Sequence, residues 1–195
     1  LDTESEFEVA KEENIIVRRH GVGTFVNPKP VFTSGIEHLS SVSSMIENAG
    51  MNPGTIFISA KEEKATEDDV ERFQADIDDN VITIERVRTA DNEPVVYCVD
   101  KVPANLLPKE FISNQNVSIF SALEQTGSIR VAYAVTYIDP VGFHDEVSPI
   151  LKCGPETALL VLKQLHYDEN DRVVLYSKNY FRADKFSFHV VRKRV

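Results

Sequence analysis

The sequence lacks any apolar run long enough to cross a membrane, has no tryptophan, and has only two cysteines among its 195 residues. A spanning helix needs about 20 consecutive apolar residues. Here hydrophobic residues make up 42% of the chain but are dispersed, at the density of a globular protein with a sizeable core. Cys98 and Cys153 lie far apart, with no cysteine or histidine partner nearby in sequence. That spacing disfavours a zinc site, and reduced, buried thiols are expected rather than a disulfide. The opening stretch LDTESEFEVAKEEN is acidic, unlike a secretory signal, and a cytoplasmic protein is the expectation. Positive charge is also scarce: the formal net charge is −10. Such a chain does not hold nucleic acid through its overall field, which leaves two local basic patches, Arg18-Arg19-His20 and Arg192-Lys193-Arg194.

Enzyme signatures are missing too. There is no G-x-S-x-G, no H-E-x-x-H and no P-loop. The histidines at 20, 38, 144, 166 and 189 have no metal-ligand spacing. His144-Asp145-Glu146 groups three possible ligands, but adjacent residues do not converge, so a solvated face or a cap is expected there. No catalytic residue, cofactor or metal is expected.

What the chain does contain is a pattern of hairpins and short helices. Ile15 to Arg19, a His20-Gly21-Val22-Gly23 turn and Thr24-Phe25-Val26 read as a short hairpin with a basic shoulder. Asn27-Pro28-Lys29-Pro30 reads as an extended linker, which places the domain boundary at 27–34. Ile36, Leu39, Val42, Ile46 and Ala49 predict a helix over 35–49, stopped by Gly50. Thr55 to Ala60 is a strand, and Thr66 with Asp69 is an N-cap signature for a helix carrying Val70, Phe73 and Ile77. Residues 84–103 read as a β-hairpin turning at Asp91-Asn92-Glu93. Ser118 starts a helix ending at Gly127. Ile129, Val131, Tyr133, Val135 and Tyr137 alternate along a strand that Asp139-Pro140 ends. A short helix over 144–151 follows, then strands over 159–167, 173–176 and 186–191. Hairpins with interspersed helices predict an α+β domain on one sheet.

Arg86 and Arg88, two apart on the first hairpin arm, put both guanidinium groups on one face. They are either an exposed edge pair bridging to surface acids or a pocket for a phosphate or carboxylate. Ser118 is either a helix cap or part of an anion site at that helix start. Tyr180, Phe181 and Arg182 are either ligand-facing or sheet packing with an Arg182–Asp184 pair.

Taken together, these motifs resemble a known family. IIVRRHGVGTFV at 15–26 resembles the wing of the winged helix-turn-helix domain of GntR-type bacterial regulators. The rest resembles the UTRA effector domain of the HutC subfamily. The likeness is carried by Arg-x-Arg at 86–88, Pro94 and Pro103, Ser-Ile-Phe at 118–120, Tyr-Asp at 167–168, and S-x-x-YFRAD-x-F-x-F at 177–188. It implies a chorismate-lyase-like α+β fold, an antiparallel sheet flanked by helices over 35–195, preceded by a wing remnant within 1–26. It also implies a homodimer, away from the membrane, that binds operator DNA and is switched by a small anionic effector.

In the sugar-phosphate-responsive relatives, the positions matching Arg86, Arg88 and Ser118 hold the phosphate. Phe120, Cys98, Tyr137, Leu175 and Phe181 are the further implied effector positions. Arg18, Arg19, Gly21, Gly23 and Thr24 are the implied DNA-contacting ones. Cys98 and Leu175 stand where such relatives carry acids, and Phe181 where they carry a tyrosine, so an effector body less hydroxylated than an amino sugar is expected. Residues 1–14 do not read as the recognition helix that a full winged helix needs, so this chain is expected to bind DNA poorly by itself. Two other readings remain: an enzyme of the chorismate lyase type, which would need a positioned acid in the pocket, and a ligand-binding or dimerisation module with no DNA role.

Overall fold

The computed structural model describes residues 16–19 and 23–26 through their backbone, and residues 31–37, 39–108, 111 and 118–194 in full. Strands β1 (Ile16–Arg19) and β2 (Gly23–Val26) pair antiparallel with Arg18 opposite Thr24, the hairpin expected of the glycine turn. The turn itself, including Gly21, lies outside the described residues, as do the side chains of Arg18, Arg19 and Thr24.

The centre is a six-stranded sheet in the order β4-β5-β6-β9-β8-β7, every neighbouring pair antiparallel. Its strands are β4 (Pro53–Lys64), β5 (Asn80–Ala90), β6 (Glu93–Pro103), β7 (Val131–Val141), β8 (Leu159–Asp168) and β9 (Val173–Arg182). The β5–β6 hairpin forms because Asp91 and Asn92 both take positive φ, 45° and 68°, the geometry of the tight turn that matches strand twist. The fold is therefore α+β, but not on one sheet. The last strand, β10 (Phe186–His189), leaves the main sheet and pairs in parallel with β3 (Phe32–Gly35), at the end of the stretch read as a linker. Stacked Phe32 and Phe186, with centroids 4.5 Å apart, join this pair to the core.

Among the described residues, four α-helices flank the sheet: α1 (Val42–Asn48), α2 (Glu67–Phe73), α3 (Ile119–Gly127) and α4 (Val147–Ile150). Helix α1 starts later than its periodicity suggests, because Ser41 caps it by accepting from the Ser44 amide and Gly35, where the expected helix would begin, still belongs to β3. Thr66 and Asp69 form the expected reciprocal capping box on α2. Two apolar clusters lie on one face of the sheet. One holds Ile82, Ile84, Val102 and Leu175 with Ile119 and Leu123 of α3. The other holds Val96 and Phe181 with Ile46 of α1 and the β3/β10 phenylalanines. The opposite face packs Val87, Tyr97, Val161 and Tyr180 against Val147 and Leu151 around α4.

Two strand boundaries differ from expectation for clear reasons. Pro140 does not end β7, which runs on to Val141; β7 is an edge strand, where a missing N–H breaks no ladder. Strand β9 continues past Tyr176 to Arg182, so the YFR motif lies inside the sheet. A bulge between Val131 and Tyr133 also divides the alternating face. Val131 packs against the cluster under α3, whereas Tyr133, Val135 and Tyr137 are exposed.

Candidate functional site: an arginine-bearing pocket between two roof elements

The two clusters on the first face leave a gap between α3 and the α1/β3/β10 layer. A cavity of about 380 Å³ opens there, within the size range of small-ligand pockets. Its floor is the central sheet, and its walls include Ser34, Ile36 and Val42 on one side and Ser118 and Phe120 on the other. Of the expected effector residues, Arg86, Arg88, Cys98, Ser118, Phe120, Leu175 and Phe181 all line it. Tyr137 does not: it is 59% exposed on the outward side of β7, whose pocket-lining residues are Ala132, Tyr133, Ala134 and Thr136.

Arg86 is buried, with 9% of its side chain exposed. It is not a surface bridge. One terminal nitrogen donates to Asp100 Oδ2 at 2.6 Å across the hairpin, and the other Asp100 oxygen accepts from Ser177 Oγ at 2.7 Å. Among the described residues its Nε has no hydrogen-bond partner. Arg88 beside it donates to Thr55 Oγ1 and has no carboxylate partner among the described residues. Burial, and then the Arg86 charge, lower the Arg88 pKa from its ordinary value, the mark of two crowded cations. Ser118 holds the N-cap position of α3, yet its side chain makes no capping bond and is exposed beside the cavity.

Cys98 sits opposite Arg86 in the ladder, between Arg86 and Asn179. Burial first, and then the Asp100 charge, push its thiol up to about 12, which keeps it a neutral packing group and not a reactive thiolate. His166 is buried against the Phe120 ring, with centroids 5.6 Å apart, and its Nδ1 lies 3.3 Å from the Leu175 carbonyl. A carbonyl only accepts, so Nδ1 carries the proton. Burial lowers the His166 pKa, and the imidazole is neutral near pH 7.

The pocket also holds polar residues that sequence reasoning missed: Asp100, Gln164, Ser177, Asn179 and Thr136. Gln164 Nε2 donates to Thr136 Oγ1 at 3.1 Å, and Asn179 Nδ2 donates to Gln164 Oε1 at 3.3 Å. Their signal in the sequence was alternation: Ser177, Asn179 and Phe181 share one face of β9 with Leu175. Cys98, Leu175 and Phe181 lie on the same sheet floor, Cys98 in register between Arg86 and Asn179, so the floor combines apolar residues with hydrogen-bonding ones. Of the remaining candidates, His144 is a local cap, its Nδ1 lying 3.4 Å from the amides of Glu146 and Val147. Among the described residues no cluster of histidine, cysteine and acid is arranged to hold a metal ion, and no helix is long and apolar enough to cross a membrane.

Comparison with known proteins follows the same outline. The chain is 26% identical over 176 residues to the HTH-type transcriptional repressor NagR of Bacillus subtilis, covering 90% of this chain and 72% of that protein. It is 22% identical over 178 residues to the HTH-type transcriptional regulator GgaR of Escherichia coli, covering 91% of this chain and 70% of that one. Among solved structures, PhnF from Mycobacterium smegmatis shares the fold with a TM-score of 0.78 at 19% identity, covering 97% of this chain and 83% of that one. The separate effector domain of PhnF superposes with a TM-score of 0.75 at 20% identity, covering 83% of this chain and 99% of that domain. The family described as the UTRA domain matches residues 48–187, which is well over half of the sequence and contains Arg86, Arg88 and the pocket floor, so this chain belongs to the UTRA domain family.

Proposed function

We propose that this chain is the effector-sensing part of a bacterial transcriptional regulator, acting as a repressor, and that the pocket binds a small phosphate- or carboxylate-bearing effector through Arg86, Arg88 and Ser118. The observation that carries this reading is the underpaired arginine pair. Among the described residues, Arg86 Nε is buried without a partner and Arg88 pairs with no carboxylate. Buried donors without acceptors are costly, and an anion entering the cavity supplies them at once. The names of the relatives, both HTH-type regulators of transcription, support the regulatory part.

The pocket's position supports a link to DNA binding. The end of β3 and the residues after it, 34–37 and 39–42, line the cavity, and β3 follows the β1–β2 hairpin in the chain. An effector touching this segment bears on the connection to the wing, where Arg18, Arg19, Gly21, Gly23 and Thr24 are the DNA-contacting positions. The effector then shifts the population of orientations of paired reading heads in a homodimer.

One observation favours the enzyme reading: Asp100 is a buried acid beside the arginines. Both of its oxygens are engaged, one by Arg86 and the other by Ser177, so neither is open to exchange a proton with a substrate. The regulator reading is therefore preferred, and the chain is taken as non-enzymatic. The test is a calorimetric titration with inorganic phosphate, glycerol 3-phosphate and gluconate, followed by band shifts of the intact regulator on DNA upstream of its own gene. Saturable binding of an anion that also changes the band shift supports the proposal. Absence of binding by all three, or release of 4-hydroxybenzoate from added chorismate, overturns it.

A further inference from the structure

The register of the sheet lays a polar row across the cavity floor. Asp100 on β6 stands opposite Ser177 on β9, Ser177 opposite Gln164 on β8, and Gln164 opposite Thr136 on β7. Asn179, one pleat along β9, bonds into the row through Gln164. Rows that are apolar except for the neutral His166 flank it. Leu175, His166 and Ala134 lie in register on the α3 side, and Val96, Phe181 and Leu160 on the α1 side. The row is thus a stripe of hydrogen-bonding groups bordered by largely apolar residues, and it begins at Asp100, the acid bonded to Arg86, whose Nε has no partner among the described residues.

The internal bonds of the row leave capacity unspent. Thr136 Oγ1 accepts from Gln164, which leaves its own O–H to donate. Asn179 and Gln164 each use one N–H of two, and the Asn179 oxygen makes no bond to a described residue. Ser177 gives its proton to Asp100, and its lone pairs remain. These groups line the cavity, so a ligand body of pure hydrocarbon would strip water from them and return nothing. The extent of the row also sets a length. Arg86 reaches over β6 to Asp100, and β8 lies two strands further on, roughly 10 Å away at ordinary strand spacing.

We infer that the effector is an anion whose uncharged body carries several hydroxyl or amide groups over that length, and that Gln164, Asn179 and Thr136 are the residues that select it. This rests on the anion reading above. It reverses the expectation drawn from Cys98, Leu175 and Phe181 alone: those three residues border the polar row on the same floor, and the row offers the hydrogen bonds.

The experiment compares matched probes on the wild-type chain: glucose 6-phosphate against hexyl phosphate, and gluconate against hexanoate, with inorganic phosphate as the bare head. The expected result is that the hydroxylated member of at least one pair binds about tenfold or more tighter than its alkyl partner and than phosphate. Gln164→Met and Thr136→Val each shrink that preference while leaving phosphate affinity unchanged, with thermal melts to verify folding. Equal or tighter binding of the alkyl members overturns this inference and leaves the anion reading standing. Failure of every probe overturns both.

Discussion

Arg86 and Arg182 are buried to nearly the same degree, with 9% and 10% of their side chains exposed, and they are bonded in opposite ways. Arg182, at the end of β9, spends its Nε and one terminal nitrogen on both oxygens of Asp184, at 3.1 and 2.7 Å. Its other terminal nitrogen reaches Glu93 at 2.9 Å and the Pro94 and Leu151 carbonyls. It ties the hairpin turn, the loop after α4 and the turn into β10 together. Arg86 has one acid, a bare Nε and a second arginine beside it. A guanidinium with an acceptor at each of its three nitrogens serves as cement. One left short in a cavity is poised for something that arrives later. The helix caps repeat the contrast: Thr66 closes its capping box, whereas Ser118 holds the cap position and makes no capping bond.

The largest expected effect falls on the cement. Arg182→Met should lower stability by about 3 kcal/mol, near the low end for breaking a buried pair because Asp184 and Glu93 are partly exposed and can take up water. Urea denaturation measures it, and a loss under about 1 kcal/mol would erase the distinction between the two arginines. Next comes the receptor. Arg88→Met should weaken binding of the best anionic probe by about tenfold or more, while moving the unfolding midpoint little, since it removes one of two crowded cations. Arg86→Ala is the poorer variant, because it strands the Asp100 oxygen now held by that arginine.

Smaller effects separate the caps. Thr66→Ala should cost about 1 kcal/mol of stability, whereas Ser118→Ala should cost a few tenths at most and appear instead as weaker anion binding. Equal thermal shifts for the two variants would return Ser118 to an ordinary cap.

The smallest effect concerns pH. Burial lowers the pKa of His166 in the pocket, so on acidification the unfolded chain takes up a proton that the folded chain refuses. This contribution is whole above the ordinary histidine value of about 6.5 and is lost as the pH falls below it. Asp184 behaves differently. Burial alone would raise its pKa, but the bonds from Arg182 outweigh that and hold it low, so its contribution survives until the pH falls through the carboxylate range. Urea midpoints between pH 7.5 and 5 should therefore show a shallow decline that His166→Gln removes and Arg182→Met does not.

Local chemistry made much of this molecule legible without coordinates. The capping box at Thr66, the hairpin around Asp91-Asn92, the helix after Ser118 and the Arg182–Asp184 pair all involve residues close in sequence, where spacing and side-chain type are sufficient. The arginine pair was visible because period 2 puts Arg86 and Arg88 on one face. Tyr137 was misplaced because the bulge near Ala132 adds one residue to the strand, and no residue type announces that. The floor of the pocket was only partly visible for another reason: alternation puts Ser177 and Asn179 on one face of a strand, but Asp100, Ser177, Gln164 and Thr136 come from four strands and meet only through register.

By itself, then, the sequence determined the kind of fold, the family it resembles and the placing of two arginines on one face, because periodicity, turn residues and clustered charge act over a few positions. Only the tertiary structure decided that Arg86 is buried and half satisfied, that its partner is Asp100, and that a polar row runs from that acid, bordered by largely apolar residues. Those facts depend on which strands lie side by side and in what register, and on the gap that two separate roof elements leave above them. They arise from contacts between residues far apart in the chain, which no local pattern encodes.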